Sequence, residues 1–268
     1  MERLDNMNIS GNGQMSGGKY KNVKISGTGV INGDLESSTI LVSGSGDFFG
    51  NVNSREIRVS GSCNYRKDMK ANFLKVSGNL NCYGAVHLEE SMKVSGSGKI
   101  HGNVYGKDIR ISGNIDIKKE VSFNTMNASG AINIEGNCEG NDFKSKGKVN
   151  INGLLSADKI EILLHRQSFI REIGGEEIII KNYHSKTFWP ISITFGGERK
   201  VKSNLIEGDR IRLNSTECAL VRGENIIIEE GCKIDCIEYT KSLEIDDNSK
   251  VLKVIKVENK EGLDLEKY

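Results

Sequence analysis

The chain has 268 residues and carries 37 Lys and Arg against 36 Asp and Glu, so its net charge is close to zero. That balance excludes the strongly basic domain of a nucleic-acid binder. The 31 glycines beside a single proline recur at fixed spacing, which excludes a disordered low-complexity chain.

No apolar run approaches the roughly 20 residues that span a bilayer. The opening MERLDNMNIS carries charge where an export signal needs an apolar centre. The expectation is a cytoplasmic protein whose six cysteines are thiols.

Residues 1–6 read as a lead-in. A repeat opens at Met7 and is clearest in Val23–Gly33, VKISGTGVING. Ser10, Ser26, Ser43, Ser60, Ser77, Ser95, Ser112 and Ser129 are each followed by Gly, at spacings of 16, 17, 17, 17, 18, 17 and 17. Lys146-Gly147 falls on the next beat with the Ser replaced. A beat this regular marks a repeat architecture.

Position 1 of the repeat reads Val23, Ile40, Ile57, Leu74, Met92, Ile109, Met126 and Phe143, and positions 3, 9 and 13 are similarly apolar. Most even positions are polar. Alternation of this kind is strand periodicity, one face in and one face out. Gly stands at position 5 throughout and at position 11 in most copies, where a positive φ or tight bend would break the strand. Each turn is therefore expected to hold three short strands, two glycine corners and a looser third corner near positions 14–17. Strands so short cannot build a hairpin sandwich. Stacking each turn on the last pairs every strand with its equivalent, so the expected fold is all-β: a three-sided β-solenoid of about 17 residues per turn with a narrow apolar core. Nine turns at about 4.8 Å each give a rod of roughly 43 Å.

The regular section is expected over residues 7–165, and an irregular continuation over 166–257. After residue 159 the Ser-Gly beat stops while strand periodicity persists, through Ile160/Ile162, Ile178–Ile180, Ile211/Leu213, Ile226/Ile228 and Leu243/Ile245. Residues 182–200 break the pattern and hold the only Trp and Pro. They read as a loop or hairpin excursion. Its apolar patch, Phe188, Trp189, Ile191 and Phe195, is the candidate surface for a partner, with an apolar lid on the solenoid flank as the equal alternative. Residues 258–268 read as a charged tail.

The copy KVSGSGKIHGNV (Lys93–Val104), with ISGTGVINGDL and VSGSGDFFGNV, resembles the bactofilins, polymer-forming bacterial cytoskeletal proteins. The C-terminal stretch GCKIDCIEYTKSLEIDDNSKVLKVIKV (Gly231–Val257) resembles the second half of longer members from Gram-positive bacteria. The resemblance implies a right-handed β-helix that polymerises end to end without nucleotide and scaffolds cell shape, motility or the placement of other proteins. Many members carry an apolar N-terminal membrane-targeting segment. Glu2, Arg3 and Asp5 give no support for one here, although membrane association stays open.

Candidate chemistry is sparse. Cys232 and Cys236 form a Cys-x3-Cys, but on a strand they lie about 13 Å apart, and no third ligand is near in sequence. Cys63, Cys82 and Cys138 fall at inward positions and read as core fillers. His87, His101, His165 and His184 are scattered, with no nucleophile and carboxylate in a triad pattern. The expectation is no catalytic, cofactor or metal site. Left-handed β-helix acyltransferases, the natural enzyme alternative, run at 18 residues per turn with a catalytic His. A basic column at position 2, Lys24, Arg58, Lys75, Lys93, Arg110 and Lys144, suits an anionic surface, but reads more simply as a solvated face. The Ser column reads as a structural ladder rather than an ice-binding array.

A solenoid has two open ends with unpaired strand edges and an exposed core section. Met7, Ile9 and Met15 at one end, and Leu243, Ile245 and Val251 at the other, are the candidate self-assembly contacts, giving a homopolymer or dimer by strand addition. A non-polymerising adaptor presenting residues 182–200 is the alternative.

Overall fold

The computed structural model describes residues 4–182 and 199–258. Among them there are 21 strands and no helix. The strands stack in parallel, each turn on the one before. Met7 pairs with Val23, Val23 with Ile40, and Ile40 with Ile57, and the same column continues to Ile226 and Leu243 through fourteen levels. At about 4.8 Å per level the rod is roughly 67 Å long. Like side chains stack on like, which is why the sequence period is so exact in the first 159 residues.

The core runs down the axis. Residues at positions 1, 3, 7, 9, 13 and 15 point inward: in one turn these are Ile40, Val42, Gly46, Phe48, Val52 and Ser54, all buried. Each buried Ile or Leu is worth about 1.5–3 kcal/mol relative to exposure. Inward pairs alternate with outward residues three times per turn, and the rod is three-sided. Bulk is balanced between neighbouring columns and neighbouring levels. The Phe48 and Tyr65 rings stack at 4.6 Å between centroids, and a Cβ at Gly46 would lie 3.0 Å from the Phe48 ring. In the same way a Cβ at Gly140 would meet the Phe123 ring at 2.4 Å.

The third corner differs from the expectation. The backbone does not break there. A single strand such as Val52–Val59 or Met69–Val76 runs through it, and only a four-residue strand such as Ser62–Tyr65 stands apart. From Ser45 to Ser145 each turn therefore has two strands, not three, and Asn12–Ile25, Thr28–Val42 and Lys148–Leu164 are single strands. The corner is a slip of the inward alternation: Ser54 and Ile57 are buried, while Arg55 and Glu56 between them are not. Two consecutive non-core residues rotate the strand onto the next side without losing the ladder.

The Ser-Gly corners also work differently from the positive-φ expectation. The described residues with φ in that region are Gly18, Gly33, Gly231 and Ser215. The glycines of the beat are needed for closeness instead. A Cβ at Gly61 would sit 1.9 Å from the carbonyl oxygen of Gly44, and one at Gly113 would sit 1.9 Å from that of Gly96. Those carbonyls are in use: Ser62 N donates to Gly44 O at 2.9 Å, and Asn114 N donates to Gly96 O at 3.0 Å. Just before each such glycine, two successive N–H groups share one acceptor. Ser60 N and Gly61 N both donate to Val42 O, at 2.8 and 3.2 Å. A side chain at the glycine would force the turns apart where the ladder is tightest.

Position 12 carries a second ladder that the sequence reading passed over. The Asp34 carboxylate accepts from Asn51 N at 2.7 Å, and Asp68 accepts from Ala85 N at 2.8 Å. The Asn103 side-chain oxygen accepts from Glu120 N at 3.3 Å, and that of Asn137 from Leu154 N at 3.0 Å. Every second turn thus offers a side-chain acceptor to the backbone of the turn above, in place of a strand bond that the corner interrupts.

Ladder pairing continues across residues 183–198: Ile173 pairs with Ile206 and Ile178 with Ile211. The later turns keep the solenoid but change its corners. Val201–Leu213, Thr216–Ile228 and Lys233–Ile245 are each one continuous 13-residue strand. Gly175, Gly208 and Gly223 stack at the third corner in place of the Ser-Gly beat. A short closing strand, Lys250–Lys256, pairs with Lys233–Tyr239. The lead-in ends at Asp5, because Asn6 already pairs with Asn22.

An interior and a terminal glycine of the beat supply a matched test. Gly61→Ala should destabilise the protein by about 3 kcal/mol, read as a lowered thermal midpoint. Gly11→Ala, where an added Cβ meets nothing within 4 Å, should leave it within about 0.5 kcal/mol of the parent. Equal midpoints for the two variants would contradict the close-approach account.

Candidate assembly interface

The ends of the rod are built from the same columns as its middle, so each end residue has an internal reference. At the C-terminal end Ile245 occupies the column of Ile228, and Val254 the column of Ile237. Ile228 and Ile237 are 1 % and 0 % exposed, whereas Ile245 and Val254 are 39 % and 46 % exposed. The backbone geometry is the same; what differs is the turn that should lie on top. Leu243 and Val251 pack against the core but are only partly covered. The edge of Lys250–Lys256 has a ladder partner on one side only among the described residues. Among the described residues the end is a cross-section of the apolar core with an open strand edge, the arrangement that takes an added strand.

The N-terminal end is better covered. Met15 is 40 % exposed, against 0 % for Ile31 in the same column. Met7 and Ile9, however, are only 1 % and 6 % exposed. Of the three N-terminal candidates, Met15 is the one that presents its side chain. Tyr20 is a further partly buried residue of this end. It stands at position 15, above Ser37. It packs on the core, and its hydroxyl donates to Ser16 O at 3.3 Å. Gly17 and Gly18 let the chain bend tightly around it: Gly18 has φ of 141°, and a Cβ at Gly17 would lie 2.3 Å from Asp34 O. The strand edge of Asn6–Ile9 still has its only ladder partner in residues 22–25 among the described residues.

The long faces are largely self-satisfied. The basic column at position 2 is partly neutralised from position 17 of the same strand: Arg58 pairs with Glu56 at 2.6 Å and Arg110 with Asp108 at 2.9 Å. Lys24, Lys75, Lys93 and Lys144 of that column form no ion pair with a described carboxylate. On the neighbouring face an outward stack continues over four turns. Arg66 lies 5.6 Å from the Phe49 ring centroid and 5.1 Å from that of Tyr83, and Tyr83 stacks on His101 at 4.8 Å. The flat sides of these rings are turned toward one another, so the stack holds turns together and leaves edges to solvent.

The cysteines divide by depth. Cys63, Cys82, Cys138, Cys218 and Cys232 are buried and Cys236 is half-buried. Burial pushes the thiols of Cys63, Cys82 and Cys218 up to about 12. Cys232 Sγ donates toward Leu213 O at 3.4 Å in the core, while Cys236 lies on another side, level with Leu220. Among the described residues no three His, Cys, Asp or Glu side chains converge as a metal site. His87 is 3.8 Å from Glu89, His101 stands in the stack, and His165 lies at a corner. Among the described residues neither His87 nor His101 is paired with a Ser or Cys side chain. Phe188, Trp189, Ile191 and Phe195 of the candidate partner patch, and His184, lie outside the described residues. No described helix is long and apolar enough to cross a membrane.

Two curated proteins of Bacillus subtilis (strain 168) are similar to part of the chain. The uncharacterized protein YhbF is 39 % identical over 102 residues, 37 % of this chain and 40 % of YhbF. The uncharacterized protein YhbE is 31 % identical over 101 residues, 37 % of this chain and 41 % of YhbE. The match thus covers about two fifths of each relative. No protein-family profile and no solved structure matches the chain.

The depth difference among thiols predicts an order of reactivity, since only the thiolate attacks. A disulfide reagent applied to the native protein should label Cys236 first, and Cys236→Ser should remove the fast phase. Fast labelling that persists in that variant would show that the buried columns open readily.

Proposed function

We propose that this protein is a structural scaffold of the bacterial cytoplasm that assembles end to end into nucleotide-independent polymers. One observation carries the reading: residues of the last turn stay exposed in columns that are sealed everywhere else. Ile245 and Val254 lack only a following turn. A second copy can supply it. The strand edge of one rod pairs with that of another while the open core section is covered, so association continues the same ladder and the same burial that hold each rod together. Met15 and the N-terminal strand edge offer the second contact that a chain of rods needs. A rod with two sticky ends propagates, whereas one with a single sticky end stops at a dimer.

The role needs no cofactor. Strand pairing and apolar burial drive it. The long faces, with their offset ion pairs and edge-on aromatic stack, stay available for other scaffolded proteins. The sequence resemblance to bactofilins agrees with this reading. The reading assigns no catalytic step to any residue.

Electron microscopy of the purified protein should show filaments about one rod wide. Ile245→Asp or Val254→Asp should abolish them, because each places a carboxylate in the buried contact without disturbing the interior of the rod. Met15→Asp should leave dimers at most if both ends take part. Ile9→Asp is the poorer probe, since Ile9 is already buried and the change would damage the fold. A monomer at high concentration would sink the proposal, as would filaments that survive all three exposed-site substitutions.

A further inference from the structure

The Ser-Gly beat fails first at Lys146, and the structure is unusual at that place. Eight earlier turns put Ser at this corner position; the ninth puts Lys. The next turn is longer there: Ile151 pairs with Ile170 across a chain separation of 19, where Ile134 and Ile151 are separated by 17. The extra residues form a corner at His165 and Arg166. The series of corner hydrogen bonds from each turn to the glycine below runs from Thr28 N on Gly11 O to Lys148 N on Gly130 O and ends there. Ser168 Oγ instead accepts from Val149 N at 3.0 Å. The ladder opens locally, and a cleft of about 490 Å³ forms beside it, lined by Ser129, Lys146, Lys148, His165 and Arg166.

A second cleft of about 470 Å³ adjoins it and shares Ser129 and Lys146; it holds Arg110, Lys144 and Glu161. Glu161 is engaged by Lys181 at 2.7 Å. Lys144, Lys146, Lys148 and Arg166 form no ion pair with a described carboxylate. Burial and the positive charges of Arg199 and Lys146 lower the pKa of His165. Elsewhere on the rod many positive side chains are paired with a carboxylate, as Lys19 is with Glu36, Lys70 with Glu89 and Lys107 with Glu90. Here Lys144, Lys146 and Lys148 of one level and Arg166 of the next gather at one corner, with hydroxyl and amide groups of Ser129 and Asn114 beside them.

We propose that the cleft around Lys146 binds a phosphate group. Several cations around one opening suit a multiply charged anion better than a single carboxylate, and Arg and Lys together supply forked and point-charge donors. The group can be free, as inorganic phosphate or pyrophosphate, or it can belong to a lipid headgroup at an anionic membrane surface. The same side chains serve both, and binding weakens as salt rises because the cations are exposed. This site stands apart from the rod ends, so it is independent of the assembly reading.

Lys146→Ser is the decisive variant. It restores the residue that the other turns carry, so the fold should be kept, with an unchanged thermal midpoint as the check. Pyrophosphate is titrated into the full-length protein by calorimetry. In parallel, phosphatidylglycerol vesicles are compared with phosphatidylcholine vesicles by flotation, which separates membrane binding from sedimenting polymers. Loss of one charge-assisted partner should weaken binding about tenfold. Arg166→Gln should act similarly, and Lys75→Ser, on the same face outside both clefts, should not. Weakened pyrophosphate binding identifies a free phosphate ligand. Flotation with phosphatidylglycerol alone, lost in Lys146→Ser, identifies a headgroup. No binding in either arm overturns the proposal, as does equal binding by the Lys146 and Lys75 variants.

Discussion

The structure depends on how closely one turn can lie on the next. Parallel strands set a spacing of about 4.8 Å, and the corners must keep to it although the chain there is changing direction. At the Ser-Gly corners the backbone of one turn rests on the carbonyl of the glycine below, with no room for even a methyl group. That contact preserves the hydrogen bond from the following residue and holds the two flanking strands in register. The apolar columns then follow automatically, because every inward side chain has its equivalent directly above and below. Core, shape and repeat length all derive from the corner.

The same logic separates faces from ends. Along the faces each level satisfies its neighbour: acceptors at position 12 receive backbone N–H groups, carboxylates at position 17 meet arginines at position 2, and rings stack on guanidinium groups. At the ends the described residues supply no further level, and the columns show what they would otherwise hide. Ile245 and Val254 are ordinary core residues in an unfinished turn. Assembly through the ends, as proposed, would therefore need no special residue beyond those that build every other level.

Much of the fold was legible because stacking converts spatial neighbours into a fixed chain separation. The apolar columns at positions 1, 3, 9 and 13 and the continuation through Ile160, Ile178, Ile211 and Leu243 all follow from the period. Other features were hidden for physical reasons. The acceptor role of Asp34 or Asn103 involves a donor about 17 residues away, and an Asp or Asn beside Gly looks like any turn. The recurring Gly-Asn-Val and Gly-Asp-Leu copies were the signal for it. The Ser-Gly glycines were visible, but the reason for them was not, since a close approach and a positive φ select the same residue. The third corner was mistaken for a break because a parity slip and a loop look alike in a polarity pattern. At the ends, the pattern places Met7, Ile9 and Met15 alike on inward columns and carries no signal that Met7 and Ile9 are buried while Met15 is exposed. The cleft around Lys146 announced itself only as a missing Ser.

A rod in which each level touches only the levels beside it has no centre. Its resistance to unfolding is a sum of nearest-neighbour contacts, so the outermost levels open first and the interior is protected in proportion to its distance from an end. Joining two such rods end to end would bury the weakest level of each. Assembly and durability would then be a single property: a level that has become internal frays no more readily than any other, and a long filament loses material only from its tips.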